Sequence, residues 1–116
     1  MDALLEKALE FSNYKQTLAI QRKALKETID AKLTYGHRGG IFKIDRTLIT
    51  FVQFLIDQER TENIVLLDTN DNPIMIEDIA KFKDEILDRY FSTTYEYHQQ
   101  YEKLKKSRSV QSLVDL

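Results

Sequence analysis

Two long segments with regularly spaced apolar residues limit the folds that this chain can adopt. Residues 2–35 carry a large apolar side chain at every seventh position, at Leu4, Phe11, Leu18 and Leu25. Residues 77–106 carry a second series, which consists of Ile79, Phe82, Ile86, Tyr90, Tyr97, Tyr101 and Leu104. Because such spacing keeps apolar side chains on one stripe of a helix, we expect two long helices.

The stripe on the first segment is incomplete, which bears on the choice of its packing partner. Lys15 and Arg22 occupy positions where a coiled coil places its alternate apolar residue. A parallel two-stranded zipper is therefore disfavoured, and we expect residues 2–35 to pack against residues 77–106 as an antiparallel helical hairpin. Both segments have acidic residues suited to a helix N-terminus, namely Asp2, Glu77 and Asp78.

The middle segment, residues 41–76, predicts one helix and a small sheet. Asp45 is the expected N-cap of a helix that extends to about Ile56 and is apolar on almost every side, which is typical of a buried element. Two β-rich runs flank an Asx-rich turn that ends at Pro73, a pattern typical of a hairpin. With one further run they predict a three-stranded antiparallel sheet over residues 41–44, 64–67 and 74–76.

The predicted fold class is α+β and mainly α, with the compact middle unit inserted between two long helices. Residues 1–106 are expected to form a single domain, because 116 residues suit one core, and residues 107–116 a C-terminal tail. The longest apolar cluster is too short to span a bilayer, and the acidic N-terminus does not resemble a secretory signal. We therefore expect neither secretion nor a membrane anchor.

Composition disfavours several chemical functions. The net charge of −2 argues against a protein that coats nucleic acid. The chain has no cysteine, which excludes disulfides and thiolate chemistry. Its two histidines, His37 and His98, lie far apart in sequence, and no nucleophile with a neighbouring base is apparent. No catalytic residue, metal ligand, cofactor or small-molecule substrate is predicted.

Two segments resemble ligand-binding loops but depart from the required pattern. Asp68, Asn70 and Asn72 match the first positions of a calcium loop, yet Pro73 replaces its glycine and Ile79 replaces its bidentate glutamate. A plain turn is therefore the favoured interpretation of this segment.

The glycine-rich segment 36–40 lacks the Gly-Lys-Ser/Thr ending of a phosphate-binding P-loop, and it precedes a strand where that motif needs a helix. We expect it to cap the first helix and act as a linker. Arg38 remains a candidate contact for an anionic partner.

The last long segment has a second apolar stripe, formed by Leu87, Phe91 and Tyr95. If the first stripe packs within the chain, the second needs another partner, and exposed aromatic patches usually mark interfaces. Two interpretations stay open. The stripe is a self-association interface of a homo-oligomer, or it covers the small sheet of the same chain.

The C-terminal segment combines positive charge with an apolar peptide. Its basic residues are candidate anion contacts, namely Lys103, Lys105, Lys106 and Arg108. The apolar peptide has the composition of a segment that docks in a groove on another protein, through Val110, Gln111, Leu113 and Leu116. The alternative is that the last helix continues to Leu116 and packs on the body of the protein. Binding of nucleic acid through the basic residues would be strongly salt-dependent and is disfavoured by their small number.

Three stretches resemble a small protein of large contractile-tailed phages, especially those of cyanobacteria. They are Gly-Gly-Ile-Phe-Lys-Ile-Asp with the following Leu-Ile-Thr-Phe-Val, then Leu-Leu-Asp-Thr-Asn-Asp-Asn-Pro-Ile, and residues 101–116. The nearest role is that of small prohead core proteins, which are internal scaffolds. The resemblance implies a helical protein that interacts with itself, with the major core protein or with the capsid shell, in the host cytoplasm or the phage particle.

The sequence hypothesis is therefore a non-enzymatic phage assembly protein that acts through helical interfaces. The alternative is an adaptor in phage replication or transcription, whose C-terminal peptide docks on a clamp or polymerase. Gln111, Leu113 and Leu116 support this alternative because they resemble the glutamine-plus-hydrophobic peptides that bind sliding clamps.

Overall fold

The computed structural model of the protein describes the backbone of residues 2–114 and the side chains of residues 2–106. Within this part of the chain the fold is α+β and mainly helical, as predicted, with helices α1 (Ala3–Lys32), α2 (Arg46–Asp57) and α3 (Ile79–Val114). The strands are β1 (Thr34–His37), β2 (Gly40–Lys43), β3 (Glu62–Leu67) and β4 (Pro73–Asp78). α3 continues to Val114, beyond the end near Lys106 that the sequence pattern predicted and in the direction of the alternative, a helix that continues along the C-terminal segment.

The prediction of a three-stranded sheet is wrong. The described residues form two antiparallel sheets of two strands each, β1 with β2 and β3 with β4. α1 ends at Lys32 and not at residue 35, because residues 34–37 turn back and pair with β2. The connecting residues Arg38 and Gly39 both have positive φ, of 48° and 81°. Two positive φ values in a two-residue loop match the natural twist of a hairpin, so segment 36–40 is a hairpin and not a linker.

The three helix N-termini are capped as the sequence predicts. Oδ1 of Asp45 accepts a hydrogen bond from the backbone N–H of Leu48 at 2.8 Å. The carboxylates of Asp2 and Asp78 accept in the same manner from Leu4 and Lys81, at 3.0 and 3.1 Å. Each cap satisfies a backbone donor that has no partner within its helix.

The chain forms two compact units. The helical unit comprises Met1–Ile29 and Tyr95–Leu116, and the mixed unit comprises Asp30–Thr94. In the helical unit the guanidinium of Arg22 lies 5.7 Å from the centre of the Tyr101 ring, within the range of a cation–π contact. Leu18 is buried there and Leu25 is half-buried, whereas Leu4 and Phe11 of the same stripe are exposed.

The mixed unit has a well-formed apolar core. It is built from β2, α2, the inner face of the β3–β4 hairpin and the first turns of α3, and its buried members are Phe42, Ile44, Val52, Leu55, Leu66, Ile76, Ile79, Phe82 and Ile86. The first stripe of α3 thus supplies three core residues to this unit. Residues alternate along β3, so that Ile64 and Leu66 face the core and Val65 and Leu67 face outward.

The turn between β3 and β4 ties the two hairpins of the mixed unit together. One carboxylate oxygen of Asp68 accepts from the backbone N–H groups of Asn70 and Asn72, both at 2.9 Å, and the other accepts from Ile41 of β2 at 3.0 Å. The backbone N–H of Thr69 returns a bond to the Ile41 carbonyl at 2.8 Å. The calcium-like residue pattern is therefore the pattern of an Asx turn, with the carboxylate bound to backbone donors.

Those donors also change the acidity of the Asp68 carboxyl group. The hydrogen bond from Ile41, followed by that from Asn72, lowers its pKa, and a smaller contribution from burial opposes them. A carboxylate that accepts several backbone N–H bonds is stabilised in its charged form.

Candidate interaction surface

One side of α2 is not covered by the rest of the mixed unit. The side chains of Phe51 and Phe54 are 48% and 54% exposed, and their rings stack with centres 6.5 Å apart. The helix is apolar on almost every side, as the sequence indicates, but the protein covers only part of that apolar surface. Two narrow hairpins replace the expected wider sheet, and within α2 only Val52 and Leu55 are buried.

Polar and charged residues border the aromatic pair. Arg46, Thr47 and Thr50 line a shallow hollow together with Phe51 and Phe54. An aromatic centre with a polar border is the composition typical of protein interfaces.

The β3–β4 hairpin also exposes apolar side chains on its outer face. Leu67, which is 63% exposed, lines a second hollow with Phe51. Val65 and Met75 lie opposite each other in the strand register and are also exposed. We call these residues the α2–β3 surface, and they are Phe51, Phe54, Val65, Leu67 and Met75. Exposed apolar patches of this kind often mark a contact with another protein.

A polar cleft lies beside β1, and its residues were not predicted to lie together. The Tyr35 hydroxyl donates a hydrogen bond to Glu85 of α3. The guanidinium of Arg89 lies 5.7 Å from the centre of the Tyr35 ring, and its Nη1 donates to the Lys32 carbonyl at 3.3 Å. The cleft therefore links the end of α1, β1 and α3. No sequence pattern could reveal it, because its members come from separate elements.

Burial and the interaction with Glu85 raise the pKa of Tyr35. Desolvation is the largest cause, followed by the hydrogen bond to Glu85 and its negative charge, and Arg89 opposes them. The resulting pKa is about 12. The hydroxyl is therefore a stable hydrogen-bond donor at neutral pH.

The predicted self-association stripe lies on α3. In the mixed unit, Leu87 is half-buried and Phe91 is 62% exposed. The centres of the Phe91 and Tyr90 rings are 5.8 Å apart. In the helical unit, Tyr95 is 66% exposed. These exposures accord with the use of Phe91 and Tyr95 in an interface, which stays a prediction.

The structure places the predicted anion contacts in two separate regions. Nη2 of Arg38 forms an ion pair with Glu77 at 2.9 Å. Lys103 and Lys106 are exposed, and Lys105 pairs with a carboxylate on the same helix, Glu102, at 3.6 Å. The pairs at Arg38 and Lys105 reduce the positive charge available to an anionic partner.

The predicted docking peptide falls mostly beyond the described side chains. The backbone of Val110, Gln111 and Leu113 belongs to α3, but their side chains and that of Arg108 lie outside the described residues, as does Leu116 altogether. The docking role of this peptide stays a prediction.

Comparison of the chain with protein-family models, with curated proteins and with solved structures found no match. Among the described helices, none has the length and the apolar content needed to cross a membrane. Within the same part of the chain, no three His, Asp or Glu side chains are grouped so that they could hold a metal ion.

Proposed function

We propose that the protein is a non-enzymatic assembly protein of a phage particle, of the prohead core or scaffold type, which acts through helical protein–protein interfaces. The observation that carries the proposal is the α2–β3 surface. The mixed unit buries a complete core and still exposes two phenylalanines and three aliphatic side chains beside it.

Exposure of these apolar side chains to water is unfavourable, and binding to another protein would remove them from water and so lower the free energy. Burial of apolar surface contributes roughly 25 cal/mol per Å², and aromatic residues are enriched at the centres of interfaces. Because the core is complete without these residues, their exposure is better explained by contact with another protein than by folding.

The proposal includes the finer features predicted from the sequence. α1 and α3 form an antiparallel helical hairpin, for which the Arg22–Tyr101 contact is the supporting observation. Phe91 in the mixed unit and Tyr95 in the helical unit each offer a further apolar contact for another copy of the chain or for other phage proteins. The protein acts in the host cytoplasm or within the particle.

The proposal is tested by measuring association. Sedimentation velocity of the full chain over a range of concentrations should reveal oligomers, and mixing with phage core and capsid proteins should give co-sedimenting complexes. A chain that stays monomeric and sediments apart from all these proteins would refute an assembly role.

Removal of residues 109–116 distinguishes the adaptor alternative. An assembly protein should keep its oligomers and its core or capsid complexes after the deletion. If the deletion instead abolishes binding to a clamp or polymerase and leaves the oligomers intact, the adaptor function is supported.

A further inference from the structure

α2 carries charged residues at the ends that its own dipole disfavours. Arg46 lies in the first turn and Asp57 in the last, and α2 has no acidic residue in its first turn and no basic residue in its last. A helix has partial positive charge at its N-terminus and partial negative charge at its C-terminus. The Asp45 cap offsets part of this effect at the N-terminus, and Asp57 accepts a hydrogen bond from Gln53 at 2.8 Å. Neither Arg46 nor Asp57 gains stabilisation from the dipole of its own helix.

We propose that α2 is a self-association helix, which packs against α2 of a second copy in antiparallel orientation. This arrangement places the N-terminal end of one helix beside the C-terminal end of the other. Arg46 of each copy then lies near Asp57 of the second copy and near its negative helix end. Each charge, which its own helix dipole does not stabilise, then lies near an opposite charge in the pair.

The positions of the residues along α2 suit a two-fold arrangement. Phe51 and Phe54 are three residues apart and share one side of the helix. Arg46 and Asp57 are close to three full turns apart, so both lie along one flank of that side. The midpoint of the two charges falls within about one residue of the midpoint of the two rings, or roughly 1.5 Å along the axis.

A second copy explains these features better than an unrelated protein. In a two-fold interface the same patch meets itself, so it must be self-complementary, and α2 offers one positive end, one negative end and an aromatic centre. Its 12 residues present less than the roughly 800 Å² per partner of a stable interface. We therefore expect a dissociation constant in the micromolar range or above, which repetition of the contact in an assembly would reinforce.

This inference rests on the proposed function for its purpose, but it is measured without phage partners. Sedimentation equilibrium of the full chain is compared with Arg46→Asp, with Asp57→Arg and with the double reversal. Either single reversal places like charges opposite each other and should raise the dissociation constant about tenfold. The double reversal restores opposite charges and should return the constant towards that of the original chain. Lys26→Asp, with the same charge change on an exposed position of α1, is the matched control.

Thermal unfolding separates loss of contact from loss of fold. Arg46→Asp replaces an unfavourable charge at the N-terminus of α2 by a favourable one, so the monomer should unfold at the same temperature or higher while dimerisation weakens. Phe54→Glu should dissociate the dimer without lowering the unfolding temperature. Added salt should weaken the original dimer because it screens the charge pairs.

The α2 proposal is overturned if the double reversal dimerises no better than the single variants, or if the single variants match Lys26→Asp. Oligomers of unchanged strength in every α2 variant would overturn it and leave the assembly function standing through another surface. The α2 proposal is also overturned, and the assembly function again stands, if the chain is monomeric and Phe54→Glu abolishes its binding to a core or capsid protein. A chain that neither self-associates nor binds these proteins refutes both proposals.

Discussion

At the scale of single residues, one glycine and one carboxylate determine how closely the two hairpins of the mixed unit pack. The glycine is Gly40. A Cβ atom built on Gly40 would lie 2.6 Å from Cγ1 and 2.9 Å from Cδ1 of Ile74. The same addition at Gly36 meets only ordinary contact, with its nearest heavy atom at 4.0 Å. β2 approaches β4 this closely because Gly40 has no side chain.

Gly40→Ala should therefore destabilise the protein, by about 1–3 kcal/mol as for other overpacked sites. Gly36→Ala is the matched control and should change the free energy of unfolding by less than about 0.5 kcal/mol. Urea unfolding of the two variants provides the comparison. Equal stability of both variants would show that the Gly40–Ile74 approach is not close.

The Asp68 carboxylate should make stability depend on acidic pH. Its pKa is lowered in the folded state, so its contribution is fully present above the pKa of the unfolded chain and is lost as the pH falls through the folded value. Asp68→Asn should be less stable at neutral pH, since its amide nitrogen cannot accept the Ile41 bond. It should also lose less stability than the original chain on acidification. Unfolding temperatures measured from neutral pH to below pH 4 test both points, and parallel curves for the two proteins would contradict the assignment.

At the scale of elements, the sequence predicted helices better than hairpins. The three helices and their capping residues followed from apolar spacing and from short acidic side chains. β1 was missed because Leu33 follows Ile29 by four residues, a helical spacing, and because the turn places Arg38 where asparagine is usual.

The exposed side of the middle helix was missed for a different reason. Phe51 and Phe54 belong to a run that is apolar on nearly every side, so the spacing does not say which side stays uncovered. The width of the neighbouring sheet decides that, and strand pairing between distant segments is not encoded in local periodicity. Phe51 and Phe54 were consequently predicted to belong to a buried helix.

The contact that links β1 to α3 can be followed through the ionisation of Tyr35. Its pKa is raised from 10.0 to about 12, so the stability that this contact supplies is present below pH 10 and is lost as the pH rises through the folded value. In an alkaline absorbance titration, one of the six tyrosines should ionise last. Tyr35→Phe should remove that final step and no other, and its persistence in the variant would refute the assignment.

At the scale of the whole molecule, stability and association should depend on different residues. Ile86 is completely buried in the core of the mixed unit, whereas Phe54 is about half exposed at its surface. Folding therefore depends on the first residue, and binding is expected to depend on the second.

Ile86→Ala should lower the free energy of unfolding by about 2–5 kcal/mol, because it removes buried methyl groups and leaves a cavity. Phe54→Ala should change it by less than about 0.5 kcal/mol and should weaken self-association. Chemical unfolding and sedimentation of both variants measure the two effects. If Phe54→Ala destabilises the protein as strongly as Ile86→Ala, its ring belongs to the fold and the proposed interface loses its support.

The backbone N–H groups of Ile41, Asn70 and Asn72 all donate to one carboxylate, that of Asp68, and this affects their hydrogen exchange. When the carboxylate of Asp68 moves away, all three amide protons lose their partner at once. Their exchange with deuterium should therefore report one common opening event, although Ile41 belongs to a different hairpin from the other two. Opening of one hairpin should therefore expose amide groups of the other, so we expect the two hairpins to open as one cooperative unit. In the described chain no strand of one hairpin pairs with a strand of the other.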